Sequence, residues 1–260
     1  MMENQLNMTF NNVIAVDIGN SQIKILNDNN FHYFDYQQNW KEKLLRILKG
    51  IDNYKQVVYS SVNFKIEVEL LEILISFKNI DVTEVNTLLQ YQKMIDFSEI
   101  EGIGTDRMLG LIGALGFSGF PVITIDCGTA ITINVADKGR CLGGFIFPGQ
   151  FTQYKSLSAI SNKLDIKPNA AKSFKIGRNT SQAVNFGVKL SCIGGIEKAI
   201  DIISKQINIK PANIFLTGGY AHEIKNHLNI DVIYKQQLVL DGIIHLYRDN
   251  ITTINKIFNY

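Results

Sequence analysis

The chain has 260 residues, 46% of them hydrophobic and 19% charged, and a net charge of +2. This balance excludes a disordered chain, and the length suits two small domains sharing a cleft. The basic residues are scattered rather than gathered into a stripe, which sets nucleic-acid binding aside.

The three cysteines, Cys127, Cys141 and Cys192, form no CxxC pair and no disulfide framework, so a reducing, cytoplasmic setting is expected. The opening MMENQLNMTF has no basic region followed by an apolar stretch, and no signal peptide is expected. The most apolar run, 109–125, is cut by four glycines and Pro121, so no membrane helix is expected.

In chain order, the β-branched run Val13-Ile14-Ala15-Val16 ends at Asp17-Ile18-Gly19-Asn20 and is followed by Gln22-Ile23-Lys24-Ile25-Leu26. This predicts a strand, a tight turn and a second strand. Leu44, Leu45 and Leu48, with Lys and Arg between them, predict an amphipathic helix over 40–50, stopped by glycine. A short buried strand at 57–59, a helix over 67–77 and a strand over 81–85 follow.

The opening pattern then returns. Val122-Ile123-Thr124-Ile125 ends at Asp126-Cys127-Gly128-Thr129, and Ala130-Ile131-Thr132-Ile133-Asn134-Val135 follows. The two aspartates are 109 residues apart, a spacing that suits one copy of a strand–turn–strand unit per domain. Two helices are expected at 180–190 and 194–205, then a buried strand at 213–216 running into Thr217-Gly218-Gly219. The domain boundary is placed at residue 118, giving domains 1–118 and 119–260.

Each Asp-x-Gly turn has the parts of a phosphate site. Glycine lets backbone N–H groups come close, Asn20, Ser21, Thr129 and Thr132 add polar side chains, and the strand-end carboxylate can hold a hydrated cation. Either turn alone reads better as a plain hairpin, where Asp, Asn and Gly are common. The pair, each after a four-residue apolar run, favours phosphate binding. Asp106-Arg107 is the sharpest remaining candidate: a carboxylate to accept an alcohol proton, beside a guanidinium for an anion. On local sequence alone, an ion pair at a helix start stands level with it. Thr180 reads as a polar substrate contact or as a helix cap beside Asn179, and Lys24 as a phosphate ligand or a solvated strand lysine. No GxxxxGK[ST] loop, dinucleotide fingerprint or zincin spacing is present.

The pair DIGNSQIK and DCGTAIT resembles the two phosphate loops of the acetate kinase, sugar kinase, Hsp70 and actin superfamily. Within it, the chain resembles type III pantothenate kinases, through Gly104-Thr105-Asp106-Arg107, the run GGFIFPG at 143–149, Asn179-Thr180 with Ala183 and Gly187, Ser60-Ser61-Val62, and LVLDG at 238–242. The matches lie in order over roughly 13–245. The resemblance implies an α/β protein of two ribonuclease H-like, actin-like ATPase domains flanking a nucleotide cleft. It implies ATP-dependent phosphorylation of pantothenate to 4′-phosphopantothenate, the first step of coenzyme A biosynthesis.

The resemblance also assigns roles. Asp17, Gly19, Asn20, Ser21, Lys24, Gly128, Thr129 and Thr132 would bind the phosphates of ATP. Asp106 would be the catalytic base, and Phe97, Gly104, Thr105, Arg107 and Thr180 would join it in holding pantothenate. Mg²⁺, a monovalent cation (K⁺ or NH₄⁺) near Asp126, and a homodimer are implied as well. Three positions depart from the family pattern: Asn134 replaces an aspartate, Phe97 a tyrosine and Ile100 a proline. The alternatives are a kinase of the same superfamily for another small acceptor, and a catalytically silent nucleotide-binding regulator.

Overall fold

The computed structural model describes residues 12–258 apart from 29, 38, 52, 54, 170–174 and 209–212; the opening residues read above for a leader lie outside this set. The described residues fall into two compact units. One holds the chain up to Ile95, Gly102–Phe117 and everything from Gln237; the other holds Asp96–Glu101 and Ser118–Gln236.

The first unit begins with three antiparallel strands, β1 (Val13–Ile18), β2 (Gln22–Asn27) and β3 (Asn30–Asp35). Helix α1 (Trp40–Lys49), strand β4 (Lys55–Ser61), helix α2 (Phe64–Ile75), strand β5 (Ile80–Glu84) and helices α3 (Val85–Leu89) and α4 (Thr105–Leu115) follow. The sheet order is β3-β2-β1-β4-β5, with β1, β4 and β5 parallel. One sheet face, carrying Ile14, Val16, Ile18, Ile23 and Ile25, packs on Trp40, Leu44 and Leu48 of α1 and on Ile66, Leu70 and Leu74 of α2. Each helical triplet repeats every four residues, which keeps it on one helix face. Helix α2 starts three residues before the expected position because the Asn63 side chain accepts from the Ile66 amide at 3.3 Å and caps it there.

The second unit repeats this plan: β6 (Val122–Cys127), β7 (Ala130–Asp137), β8 (Arg140–Pro148), helices α5 (Gln150–Ile160) and α6 (Thr180–Gln206), β9 (Asn213–Thr217), α7 (Ala221–Lys225) and β10 (Ile233–Tyr234). Its order, β10-β9-β6-β7-β8, is the same arrangement, with β6, β9 and β10 parallel. Most of the GGFIFPG run is thus the end of strand β8. The helices expected at 180–190 and 194–205 are one helix of 27 residues. The Gly194-Gly195 pair does not break α6, because the ring of Phe147 takes the place of a side chain: a Cβ on Gly195 would lie 3.0 Å from it. The last helix, α8 (Leu238–Phe258), belongs to the first unit, where it packs on α4 and β1. Among the described residues no helix is long and apolar enough to cross a membrane.

Candidate active site

In the first unit, strand register places Asp17 of β1 between Lys24 of β2 and Ser60 of β4. Residues 14, 16 and 18 face the core, so Asp17 emerges on the opposite sheet face. Its side chain is only 13% exposed, and Lys24 Nζ lies 3.6 Å from Oδ2. Burial pushes the Asp17 carboxyl above its ordinary 3.8; the Lys24 charge opposes this, and the Asp106 charge adds to it. The charges of Lys24, seven residues on in the same hairpin, and of Asp106, on a helix much later in the chain, therefore both act on Asp17. The Asp17 carboxylate is suited to Mg²⁺ held together with phosphate oxygens, since Mg²⁺ commonly takes one or two carboxylates and leaves the rest to water and phosphate. No cluster of three or more His, Cys, Asp or Glu that would hold a metal by itself occurs among the described residues.

A carboxyl with a raised folded-state pKa binds more protons in the folded than in the unfolded chain between the two values. Asp17 thus costs stability as pH rises from about 3.8 through its raised value. Asp17→Asn is expected to melt above the wild type at pH 7 when no ligand is present, with the difference shrinking toward pH 4. Scanning calorimetry checks this, and a lower melting temperature at pH 7 would show that the Lys24 pair outweighs the burial cost.

Gly19, Asn20 and Ser21 form the β1–β2 turn, closed by the Gly19 amide donating to Gln22 O at 3.0 Å; Asn20 and Ser21 are exposed. Asp106 sits in the first turn of α4, whose N-cap is Gly104. A Cβ on Gly104 would stand 2.6 Å from Asp106 Oδ1, so glycine there leaves room for the carboxylate. The Thr105 hydroxyl donates to Asn86 Oδ1 at 3.2 Å, and Asn86 in turn donates to Glu84 at 2.6 Å. Asn86 and Tyr36, whose hydroxyl reaches Gly19 O at 2.7 Å, escaped sequence reasoning because neither lies in a motif.

In the second unit, Asp126 pairs across β6–β7 with Thr132 and across β6–β9 with Thr217. The two turns are not identical: Asp17 faces the residue seven positions on, Asp126 the residue six on. Where Asp17 meets a lysine, Asp126 meets a threonine, and this all-oxygen set suits a hard cation. Gly128 N donates to Ala130 O at 3.1 Å, while Thr129 O accepts from Gly149 N at 2.9 Å and from the Thr152 hydroxyl at 2.6 Å, which fixes the turn against the start of α5. Gly218, at φ +99°, passes so close to Asp126 and Cys127 that a Cβ there would stand 2.5 Å from the Cys127 amide. The Gly218-Gly219 turn is therefore packed on the second hairpin. Asn134 is buried on the same strand face as Thr132. A neutral amide at this place avoids burying a further carboxylate.

Thr180 opens α6, but Asn179 is its cap, accepting from the Gln182 amide at 2.9 Å. Thr180 lines a cavity of about 750 Å³ with Pro148, Leu157, Leu164, Val184 and Val188. Phe97 is half-buried in the segment 96–101 of this same unit, whereas Gly104, Thr105, Asp106 and Arg107 belong to the first unit.

The family model of type III pantothenate kinases matches residues 13–202, a span that includes both hairpins, Asp106 and Thr180. The chain belongs to the type III pantothenate kinase family. A type III pantothenate kinase of Sulfurihydrogenibium sp. is 27% identical over 249 residues, covering 90% of this chain and 98% of that protein. Another from Thermosipho africanus is 36% identical over 152 residues, covering 57% of this chain and 60% of the relative. A Campylobacter jejuni protein named for the Baf family of transcriptional activators has the same fold, with a TM-score of 0.61 at 22% identity over 92% of this chain and 99% of its own. The apo psk41 ParM protein follows at 0.50 and 11% identity, over 94% and 98%. These likenesses show the fold, that of the actin-like ATPases, twice built on the sheet order described above.

Proposed function

We propose that this chain transfers the γ-phosphoryl group of ATP to the primary hydroxyl of pantothenate, forming 4′-phosphopantothenate and ADP in the first step of coenzyme A biosynthesis. The observation that carries this reading is the Lys24–Asp17 pair at 3.6 Å, with the Asp106 charge acting on Asp17, in one unit of a chain of this family. The turn at 19–21 offers backbone N–H groups and the Asn20 and Ser21 side chains to phosphate oxygens, and Gly128, Thr129 and Thr132 offer a second set of the same kind. Lys24 balances phosphate charge; Asp17 would hold a Mg²⁺ ion that shares this task, and Asp126 would hold a monovalent cation, K⁺ or NH₄⁺. Asp106 accepts the hydroxyl proton as the alcohol oxygen bonds to phosphorus and the bond to the ADP oxygen breaks.

Gly104, Thr105, Arg107, Phe97 and Thr180 hold pantothenate. The mostly apolar cavity beside Thr180 suits the dimethyl-bearing body of that substrate, with the threonine as a polar fixing point. The working form is a homodimer in the cytoplasm.

The test is ADP formation by the purified chain with ATP and Mg²⁺, with and without pantothenate, in K⁺ and in Na⁺. Turnover that requires pantothenate and is faster in K⁺ is expected. ATP binding with no pantothenate-dependent turnover would overturn the reading in favour of another acceptor or a silent nucleotide-binding regulator.

A further inference from the structure

We infer that Tyr36 is a positioning residue for the nucleotide, holding the β1–β2 turn in its phosphate-binding shape by donating its hydroxyl to the carbonyls at the two ends of that turn. The inference rests on the reading of this turn as a phosphate site.

The Tyr36 hydroxyl oxygen lies 2.7 Å from Gly19 O and 2.9 Å from Gln22 O. It carries one hydrogen, so it serves one carbonyl at a time and stays within reach of both. These are the two residues joined by the Gly19 amide to Gln22 carbonyl bond that closes the turn. Between them stand Asn20 and Ser21. Two carbonyl oxygens near an anion would repel it; drawn toward a phenol, they are kept for the protein, and the exposed side of the turn is left to its donors.

The phenol is itself held in place. Its ring meets Trp40 edge-on at 6.3 Å, and Trp40, the first residue of α1, is buried in the core. Tyr36 directly follows β3, and the last residue of that strand, Asp35, accepts from Gln22 Nε2 at 2.8 Å. The end of β3 thus straps the turn twice, once through the Gln22 side chain and once through the backbone on both sides of Asn20-Ser21. Burial and the nearby Asp17 charge push the Tyr36 phenol above its ordinary 10. No sequence motif marks the residue, because its contacts are set by the β2–β3 pairing and not by spacing along the turn.

Tyr36→Phe in the full chain removes the hydroxyl and keeps the ring against Trp40. The expected result is a KM for ATP raised about threefold to tenfold, the weight of one net hydrogen bond. The kcat and the KM for pantothenate stay within about twofold, and the melting temperature stays near that of the wild type. Unchanged ATP dependence, or a parallel loss in kcat and in both KM values, would overturn the assignment, since a merely structural tyrosine would act on all of them. Calorimetric titration of Mg·ATP into the variant and the wild type, without pantothenate, reads the same effect with no turnover needed. A chain that binds ATP but does not phosphorylate pantothenate would sink the proposed reaction and leave Tyr36 to be judged by this titration. Equal ATP affinity in the two proteins would sink the role of Tyr36 alone.

Discussion

Asp106→Asn is expected to lower kcat for pantothenate-dependent ADP formation by about 10²–10⁴-fold, the usual contribution of a positioned general base. Asparagine keeps the size and the hydrogen-bonding carbonyl of aspartate but cannot take the proton. The fold is expected to survive, for two reasons that oppose one another. A negative charge in the first turn of α4 favours the helix by roughly 0.3–1 kcal/mol, and that is lost. The same charge holds the Asp17 carboxyl up, and that repulsion is relieved. Steady-state kinetics with a parallel thermal melt separates the cases. A collapse in kcat with an unchanged KM for ATP and an intact melt identifies the base; near-normal kcat removes Asp106 from that role.

Gly113→Ala is expected to be strongly destabilising. Helices α4 and α8 cross with their backbones in contact at this point. A Cβ on Gly113 would run into Leu238 O and stand 2.9 Å from Gly242 N, and a Cβ on Gly242 would run into Leu109 O. The obstacle is backbone on both sides, so no side chain can swing aside, and the helices must separate. Overpacking of this kind costs typically about 1–3 kcal/mol, sometimes more, and at this chain length lowers Tm by roughly 2–4 °C per kcal/mol. Because α4 carries Asp106 in its first turn, turnover at a temperature where the variant is still folded should fall as well. Gly194→Ala is the matched control: Gly194 lies in the interior of α6 with nothing within 4 Å of its added Cβ. There alanine should stabilise by up to about 1 kcal/mol through helix propensity. A loss of stability in the control equal to that at Gly113 would remove the packing explanation.

The crossing also explains the LVLDG run at 238–242. In the sequence it reads as a late family motif without a task. In the structure Leu238 lends a carbonyl and Gly242 a bare backbone to the contact with α4, and so they position the helix that carries Asp106.

What could be read from the sequence was local. A run of β-branched residues ending in Asp-x-Gly makes a strand and a turn whatever surrounds it, and its return 109 residues later announced the repeated sheet order found in both units. The first-turn position of Asp106 and the cap at Asn179-Thr180 were legible for the same reason. The Gly194-Gly195 pair misled, since glycine argues for a break, and only the ring of Phe147 from β8 shows why the helix runs on.

The amino-acid sequence by itself determined the two hairpins, their carboxylates and the family, because turn chemistry and strand patterning act over a few neighbouring residues. Tertiary structure alone decided that Lys24 and Asp106 are the charges acting on Asp17, that Asp126 faces threonines instead, that α8 returns to the first unit, and that Tyr36 grips the first turn. Each of these depends on strand register or on packing between elements, where the pairing that is chosen is the one that buries the apolar faces together.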